Sequence, residues 1–452
     1  MNQLETYLRC VNLSKTICEA FGYVVKSTGT GEDPSAMLAD IQNGLNTILL
    51  KIPMLPGKGL AEFQSKTAAL IKACENFSNV NADGNDLCET LNEWNRARIS
   101  ILYIEAVNLA VQYKNRKEAA PLLEAILDDK AAAAFEPVID YVLSEILSKR
   151  QPLRAYQLAI RAFELNNRLF GSLQPENNPL HNYVYSPVEE DHFEKCPVCH
   201  GNGMPFYCAE QICAANYIPS FSPVKLWMKC DSCGQIYTYN FPKSFLQKVD
   251  ELQPEAEELG DSSYMQSRPG WLPVLGDILK KTASYTNGRK LLDVGVGGGE
   301  LIAAALELGF DVEGVEISKR QVQALKALLN VEIHCTDFLE FNTTNKFDII
   351  TMGDVIEHVK DPTAAIEKAN ALLAENGVLW LSTPNFESGF SRIMGFRDPM
   401  WREPYHITYF CYTGLKKLLL EHGFEVLDYS ISRRYNGSME IIAKRRGAAR
   451  GT

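Results

Sequence analysis

The sequence lacks an apolar stretch long enough to cross a bilayer; the closest, residues 99–111, is interrupted by Glu105 and Asn108. Its start, Met1-Asn2-Gln3-Leu4-Glu5, lacks the basic opening and apolar core of a secretory signal. Both absences point to a cytoplasmic protein with no membrane role. Positive charge is also short, with 45 lysines and arginines against 56 acids and a net charge of −11. A surface of that sign repels polyanions, which disfavours broad nucleic-acid binding but leaves room for a local basic groove. The twelve cysteines are spread along the chain rather than crowded into a short scaffold. They read as reduced thiols, one cluster apart, and not as a disulfide framework.

What the chain does have is apolar material for more than one core. At 452 residues, 46% hydrophobic and 22% charged, two or three globular domains are expected. Residues 1–172 read as all-helical. Met37, Leu38, Ile41, Leu45, Ile48 and Leu49 recur at helical spacing after an Asp33-Pro34-Ser35 start, and the Pro and Gly cluster at 53–59 ends that helix. Another helix is expected over 60–77. Beyond Asp83-Gly84, Tyr103, Ala106, Leu109 and Ala110 form one apolar face, and Ala119, Leu122, Leu123 and Ile126 the next. Helices over 138–147 and 153–165 repeat that pairing, with Ala119 and Ala155 in similar places. The pattern is similar to tetratricopeptide-type hairpins, which would offer a surface to a protein partner. A plain helical bundle used for packing or dimerisation fits it equally. Residues 171–187, rich in Pro, Asn and Tyr, read as a linker. A second boundary is expected over 253–270, where Glu255, Glu257, Glu258 and Asp261 read as a solvated face.

Between those boundaries, Cys196-Pro-Val-Cys199 and Cys230-Asp-Ser-Cys233-Gly234 form two Cys-x-x-Cys knuckles. Each turn aims two thiolates at one point, and two such turns make a tetrahedral cage for zinc. With strand-like Leu226-Trp227-Met228 and Ile236-Tyr237-Thr238-Tyr239 beside the second knuckle, residues 188–250 resemble a zinc ribbon. A closed four-thiolate site has no position left for substrate, so its role would be structural. His200, Cys208 and Cys213 are alternative ligands, and four unligated cysteines or two redox pairs are the competing readings. Some ribbons bind nucleic acid, which keeps that alternative open.

Further on, residues 290–299 run from an apolar strand, Leu291-Leu292-Asp293-Val294, into Gly295, Gly297 and Gly299, and then into a helix beginning at Glu300. Glycines there let the backbone turn tightly and approach a ligand. A second strand, residues 311–316, ends in Glu316, where a ribose diol would need an acceptor. A third, 331–335, leads into Asp337 and Phe338. A fourth, 347–352, leads into Gly353-Asp354-Val355-Ile356-Glu357-His358-Val359.

In the order and spacing of these segments the chain resembles the Rossmann-like, class I S-adenosylmethionine-dependent methyltransferases, over residues 270–446. The resemblance implies an α/β fold: a seven-stranded doubly wound sheet of order 3-2-1-4-5-7-6, with cofactor across the carboxyl ends of strands one to four. It implies that Gly295, Gly297 and Gly299 admit the methionine portion and that Glu316 accepts from the ribose hydroxyls. Asp337 would accept from the adenine amino group, with Phe338 or Ile317 against the ring. Backbone near Gly353 and Asp354 would hold the ammonium end, and Asp293 would orient the amine through water. Asp354-Val-Ile-Glu357-His358 is similar to the Glu-x-x-Glu-His segment of the ubiquinone-pathway O-methyltransferases, so Mg²⁺ or Zn²⁺ at Asp354, Glu357 and His358 is one expectation; a structural histidine is the other.

After a fifth strand, 378–382, Thr383-Pro384-Asn385 leads to an insertion containing Trp401-Arg402-Glu403-Pro404-Tyr405-His406. Related enzymes shape the acceptor pocket here, so His406 is the expected general base, with His358 as a second catalytic candidate. Trp401, Arg402 and Tyr405 are expected as pocket walls. A helix over 415–423 and two antiparallel strands, 424–431 and 438–444, would complete the domain, and Lys444, Arg445, Arg446 and Arg450 read as a disordered basic tail. The activity these features favour is O-methylation of a small molecule, a sugar or glycan intermediate slightly preferred. C-methylation of a nucleotide sugar, methylation of nucleic acid, and a cofactor-binding scaffold without turnover are the alternatives.

Overall fold

The computed structural model describes residues 3–30, 34–51, 59–79, 84–103, 116–214, 217–243, 245 and 271–446. The chain divides into two compact units, Met1–Tyr185 and Ser186–Thr452.

The first unit is helical: α1 (Gln3–Thr30), α2 (Ser35–Lys51), α3 (Leu60–Asn79), α4 (Gly84–Arg98), α5 (Arg116–Leu127), α6 (Glu136–Leu147), α7 (Pro152–Leu165) and the short α8 (Leu169–Leu173). The apolar spacing read in α2 is the face it buries, through Leu38, Ile41, Leu45 and Ile48. Among the described residues, two buried polar contacts stand out. The Trp94 indole donates to Thr67 Oγ1 at 3.0 Å, and buried Arg98 pairs with Asp129 at 2.5 Å. Ala119 and Ala155 are both fully buried. Ala106, Leu109, Ala110, most of the 53–59 cluster, Asp83 and the 253–270 boundary lie outside the described residues.

The expected linker at 171–187 is largely part of this unit. Tyr185 packs 5.4 Å from Phe163, and Tyr183 meets Phe170 edge-on at 6.2 Å. Two tyrosines carry enough ring surface to dock a segment whose Pro, Asn and Tyr content suggested a free connection.

In the second unit the ribbon region supplies β1 (Glu190–His192), β2 (Gly203–Glu210), β3 (Val224–Cys230), β4 (Ile236–Thr238) and β5 (Asn240–Pro242). Then follow α9 (Trp271–Ala283), β6 (Lys290–Val294), α10 (Glu300–Glu307), β7 (Asp311–Glu316), α11 (Lys319–Leu329), β8 (Glu332–Cys335), β9 (Phe347–Gly353), α12 (Pro362–Leu372), β10 (Leu373–Pro384), α13 (Gly389–Met394), β11 (Thr408–Tyr409), α14 (Tyr412–Glu421), β12 (Phe424–Ile431) and β13 (Ser438–Arg445). The large sheet runs β8-β7-β6-β9-β10-β13-β12, the expected 3-2-1-4-5-7-6 order. Its first five strands pair in parallel, and β13 lies antiparallel between β10 and β12. Strand and helix residues such as Leu291, Ile302, Leu325, Ile349 and Val378 share one core, as a sheet covered by crossover helices requires. Lys444 and Arg445, expected in a disordered tail, belong to β13, while Arg450 is outside the described residues. The strand includes them because its pairing with both neighbours runs that far, Lys444 opposite Val378 and Arg445 opposite Phe424.

The expected 188–250 and 270–446 segments lie in the same compact unit, and they share a sheet. A second, four-stranded sheet runs β11-β4-β3-β2, so its edge strand comes from the insertion after β10. Among the described residues, no helix is long and apolar enough to cross a membrane.

Candidate active site

Parallel pairing brings the carboxyl ends of β6, β7, β8 and β9 side by side. Val294 stands opposite Val315 and Met352, and Glu316 opposite Cys335. The segments that follow those ends are the ones the sequence marked. Gly295 has φ +73°, and a Cβ there would lie 2.5 Å from Val355 Cγ2, so both conformation and contact require glycine. Gly299, at φ +84°, turns directly into α10. Around Gly297 the nearest atom to a built Cβ is 3.9 Å away, which leaves the open approach a cofactor would need. The Glu316 carboxylate is fixed against this loop, accepting from Gly297 N–H at 3.1 Å and Ser318 N–H at 2.9 Å.

Asp293 is buried under the loop and accepts from Thr351 Oγ1 at 2.7 Å. Burial pushes its pKa up to about 7, with Glu316 and Glu300 adding repulsion and the Thr351 bond opposing. Asp337 caps the turn after β8, taking Leu339 N–H at 2.8 Å, beside buried Phe338 and half-buried Ile317.

Asp354 has a left-handed backbone, φ +56°, rare outside glycine. Its N–H donates to Ser382 O at 3.0 Å and its Oδ1 accepts from Ser382 Oγ at 2.9 Å. Its Oδ2 pairs with the Arg434 guanidinium at 3.0 Å. Arg434 in turn lies 5.4 Å from the Trp380 and Tyr435 ring centres, held by cation–π contact. These bonds commit the Asp354 carboxylate to β10 and the β12–β13 connection. The expected Asp354, Glu357 and His358 ligand set is therefore corrected: the group that gathers is Glu357, His358 and His406, with donor atoms all within 4.8 Å of one another. Arg434 and Ser382 carried no sequence motif, only a basic loop and a strand end.

His358 Nδ1 lies 2.9 Å from Tyr405 O. A carbonyl only accepts, so Nδ1 carries the proton and Nε2 presents its lone pair. His406 is buried beside it, its Nδ1 with no hydrogen-bond partner among the described residues. Burial lowers the pKa of both histidines, His406 well below the usual range, with His358 and Lys225 adding repulsion. Glu357 is buried too; neither carboxyl oxygen forms a well-made hydrogen bond, Thr383 Oγ1 included. Burial, then the Asp354 charge, raises its pKa well above the carboxylate range. Two imidazoles and a carboxyl thus share one spot, Glu357 and His406 buried and His358 half-buried. Of the expected pocket walls, Trp401 is instead core, packed 4.9 Å from Tyr409 and 5.9 Å from Trp227, and Arg402 is exposed. Tyr405 rests on Phe221 at 5.4 Å and contributes its carbonyl.

The four knuckle cysteines converge. Cys196 and Cys233 sulfurs are 3.6 Å apart, Cys199 and Cys230 sulfurs 3.4 Å, and all four lie within 4.8 Å. A tetrahedral zinc thiolate cage has edges of about 3.8 Å, so the donor set fits that ion. Hydrogen bonding from Cys196 lowers Cys233 to about 5, and the same bond raises Cys196. Cys208, buried in β2, and exposed Cys213 stand outside the cluster, as does His200.

Residues 264–429 match a family model described as a methyltransferase domain. The ubiquinone biosynthesis O-methyltransferase of Actinobacillus pleuropneumoniae serotype 7 is 35% identical over 124 residues, 25% of this chain and 53% of that protein. The chain thus spans about half the length of that curated relative. The Pasteurella multocida protein of the same name is 33% identical over 162 residues, 31% of this chain and 67% of its own length. A solved S-adenosylmethionine-dependent methyltransferase from Clostridium acetobutylicum overlays with TM-score 0.33 at 14% identity, over 45% of this chain and 98% of that one, a likeness too slight to argue from. A relative matched over two thirds of its length, on a sheet of this strand order, makes the assignment: the chain belongs to the class I S-adenosylmethionine-dependent methyltransferases.

Proposed function

We propose that the second unit transfers a methyl group to a hydroxyl of a small molecule, and the close pair of half-buried His358 and buried His406 is the observation that carries this reading. When bound, S-adenosylmethionine supplies the methyl group on a sulfonium, so the chain's task is to position, dry and deprotonate the acceptor. Gly295, Gly297 and Gly299 admit the methionine portion, Glu316 accepts from the ribose diol, and Asp337 from the adenine amino group, with Phe338 or Ile317 against the ring. Backbone at Gly353 and Asp354 holds the amino-acid end, with Asp293 beneath it. Burial keeps both histidines neutral at neutral pH, so His406 can take the acceptor's proton at Nδ1 and His358 at Nε2.

Oxygen as the methylated atom is supported by the names of the Actinobacillus and Pasteurella relatives. The Thr383-Pro384-Asn385 strand end with His406-Ile407-Thr408-Tyr409-Phe410 supports a sugar or glycan hydroxyl. Glu357, His358 and His406 would also hold a divalent ion. Two imidazoles and one carboxylate suit zinc, iron or manganese better than Mg²⁺, which prefers oxygen and water. The four thiolates would hold one structural zinc.

Calorimetry with S-adenosylmethionine, followed by transfer of radiolabelled methyl to phenolic, sugar and nucleoside hydroxyls, tests the reading. Transfer to one class identifies the acceptor. Binding without transfer to any would favour a scaffold.

A further inference from the structure

We infer that Lys225 is a positioning residue: from the ribbon's β3 it fixes the two histidines of the acceptor side, and this rests on the reading of His406 and His358 given above. Its side chain is buried at 1% exposure. The Nζ lies 2.7 Å from Glu403 O, 3.0 Å from Pro404 O and 2.8 Å from His406 O. Burial lowers its pKa to about 7; in its ammonium form it has three N–H bonds and no acceptor, and the three carbonyls satisfy that form completely. The carbonyl these three leave out, Tyr405 O, receives His358 Nδ1–H. Four successive carbonyls are thus divided between one lysine and one histidine, and His406 hangs from the same strip.

The next residue extends the strap both ways. Ile407 N–H donates to Glu357 O at 2.8 Å, and Ile407 O accepts from Thr238 N–H of β4 at 2.8 Å. Thr408 and Tyr409 then pair with Tyr237 and Ile236. The Trp227 indole, two residues along β3, donates to Trp401 O at 2.8 Å. The ribbon sheet therefore forms the back of the acceptor site.

A hydrophobic anchor would pack this loop as well as lysine does. Burying an ammonium is costly unless every proton is matched, so its presence fixes direction rather than bulk. Without it three buried carbonyls lose their donor at once. The loop would keep its aromatic packing but lose the register that presents Tyr405 O to His358.

The test is Lys225→Met, read by nitrogen-15 NMR of the histidine rings in the full-length chain, with His358→Gln and His406→Gln to assign the signals. Wild type should show His358 locked as the Nδ1–H tautomer. In Lys225→Met that signal should move toward the averaged pattern of a free imidazole, with S-adenosylmethionine affinity within about twofold of wild type. Histidine signals superimposable on wild type in a folded variant would overturn the inference. If Lys225→Met does not fold, Lys225→Gln, which keeps two donors, carries the same comparison. Once an acceptor is known, kcat in Lys225→Met should fall roughly tenfold or more at unchanged cofactor affinity. Unchanged turnover in His406→Ala, together with altered signals in Lys225→Met, would remove the catalytic reading and leave the strap standing.

Discussion

His358 and His406 stand edge to face, ring centres 4.8 Å apart and planes at 67°, His406 buried and His358 half-buried. A proton on either ring puts a cation against its neighbour, with little solvent access at His406 to offset the charge. Both folded pKa values lie below the ordinary 6.5, so from 6.5 downward the unfolded chain binds more protons. The stability they contribute is whole above 6.5 and is lost as pH falls. Thermal unfolding of wild type between pH 7.5 and 5 should show this loss, and His406→Gln should flatten it. Parallel pH profiles for the two proteins would refute the assignment.

Asp293 has the opposite sign. Its folded pKa of about 7 exceeds its ordinary 3.8, so its contribution is whole below about pH 4 and is lost as pH rises through 7. Asp293→Asn should therefore stabilise the protein at pH 8, by about 2–4 kcal/mol. The gain should vanish near pH 4. Denaturant melts at the two pH values measure it.

In the assay of methyl transfer, His406→Ala should lower turnover by roughly a hundred- to ten-thousandfold while cofactor affinity holds. The deficit should shrink at high pH, where the acceptor hydroxyl ionises unaided. Wild-type rates in both His406→Ala and His358→Ala would leave catalysis to positioning alone.

Purified protein should carry about one zinc per chain at the four thiolates. Cys230→Ser should lose it and loosen β2–β4, since zinc binding in a small site is largely folding free energy. Full metal content and an unchanged melt in that variant would exclude the site. A chelator that abolishes turnover while the ribbon zinc and the melt stay intact would point instead to an ion at Glu357, His358 and His406.

The parts legible in the sequence were those in which a short segment carries its own signal. Glycines at 295, 297 and 299 between a strand and a helix announce a turn by their conformational freedom, and two Cys-x-x-Cys turns announce a cage by spacing. Asp354 shows where that runs out. Its place after β9 was readable, but its partner Arg434 lies eighty residues on, in a loop whose sequence says only that it is basic. Lys225 is harder still, because a lysine in an apolar strand reads as a solvated edge until three carbonyls from a distant loop close on it. Tyr183 and Tyr185 were misread for a related reason: composition suggests a linker, while burial depends on a surface elsewhere in the chain.

The edge position of β11 also has a cost during synthesis. Thr238 ends β4, and Thr408, the partner of Tyr237, is translated 170 residues later (408 − 238 = 170). At about 5–20 residues per second the ribosome needs roughly 10–30 s to cover that gap. Throughout it β4 has an open row of backbone donors and acceptors, the kind of edge on which nascent chains join one another. The ribbon is translated long before the strand that seals it, and its solubility in that interval rests on whatever shields the edge of β4.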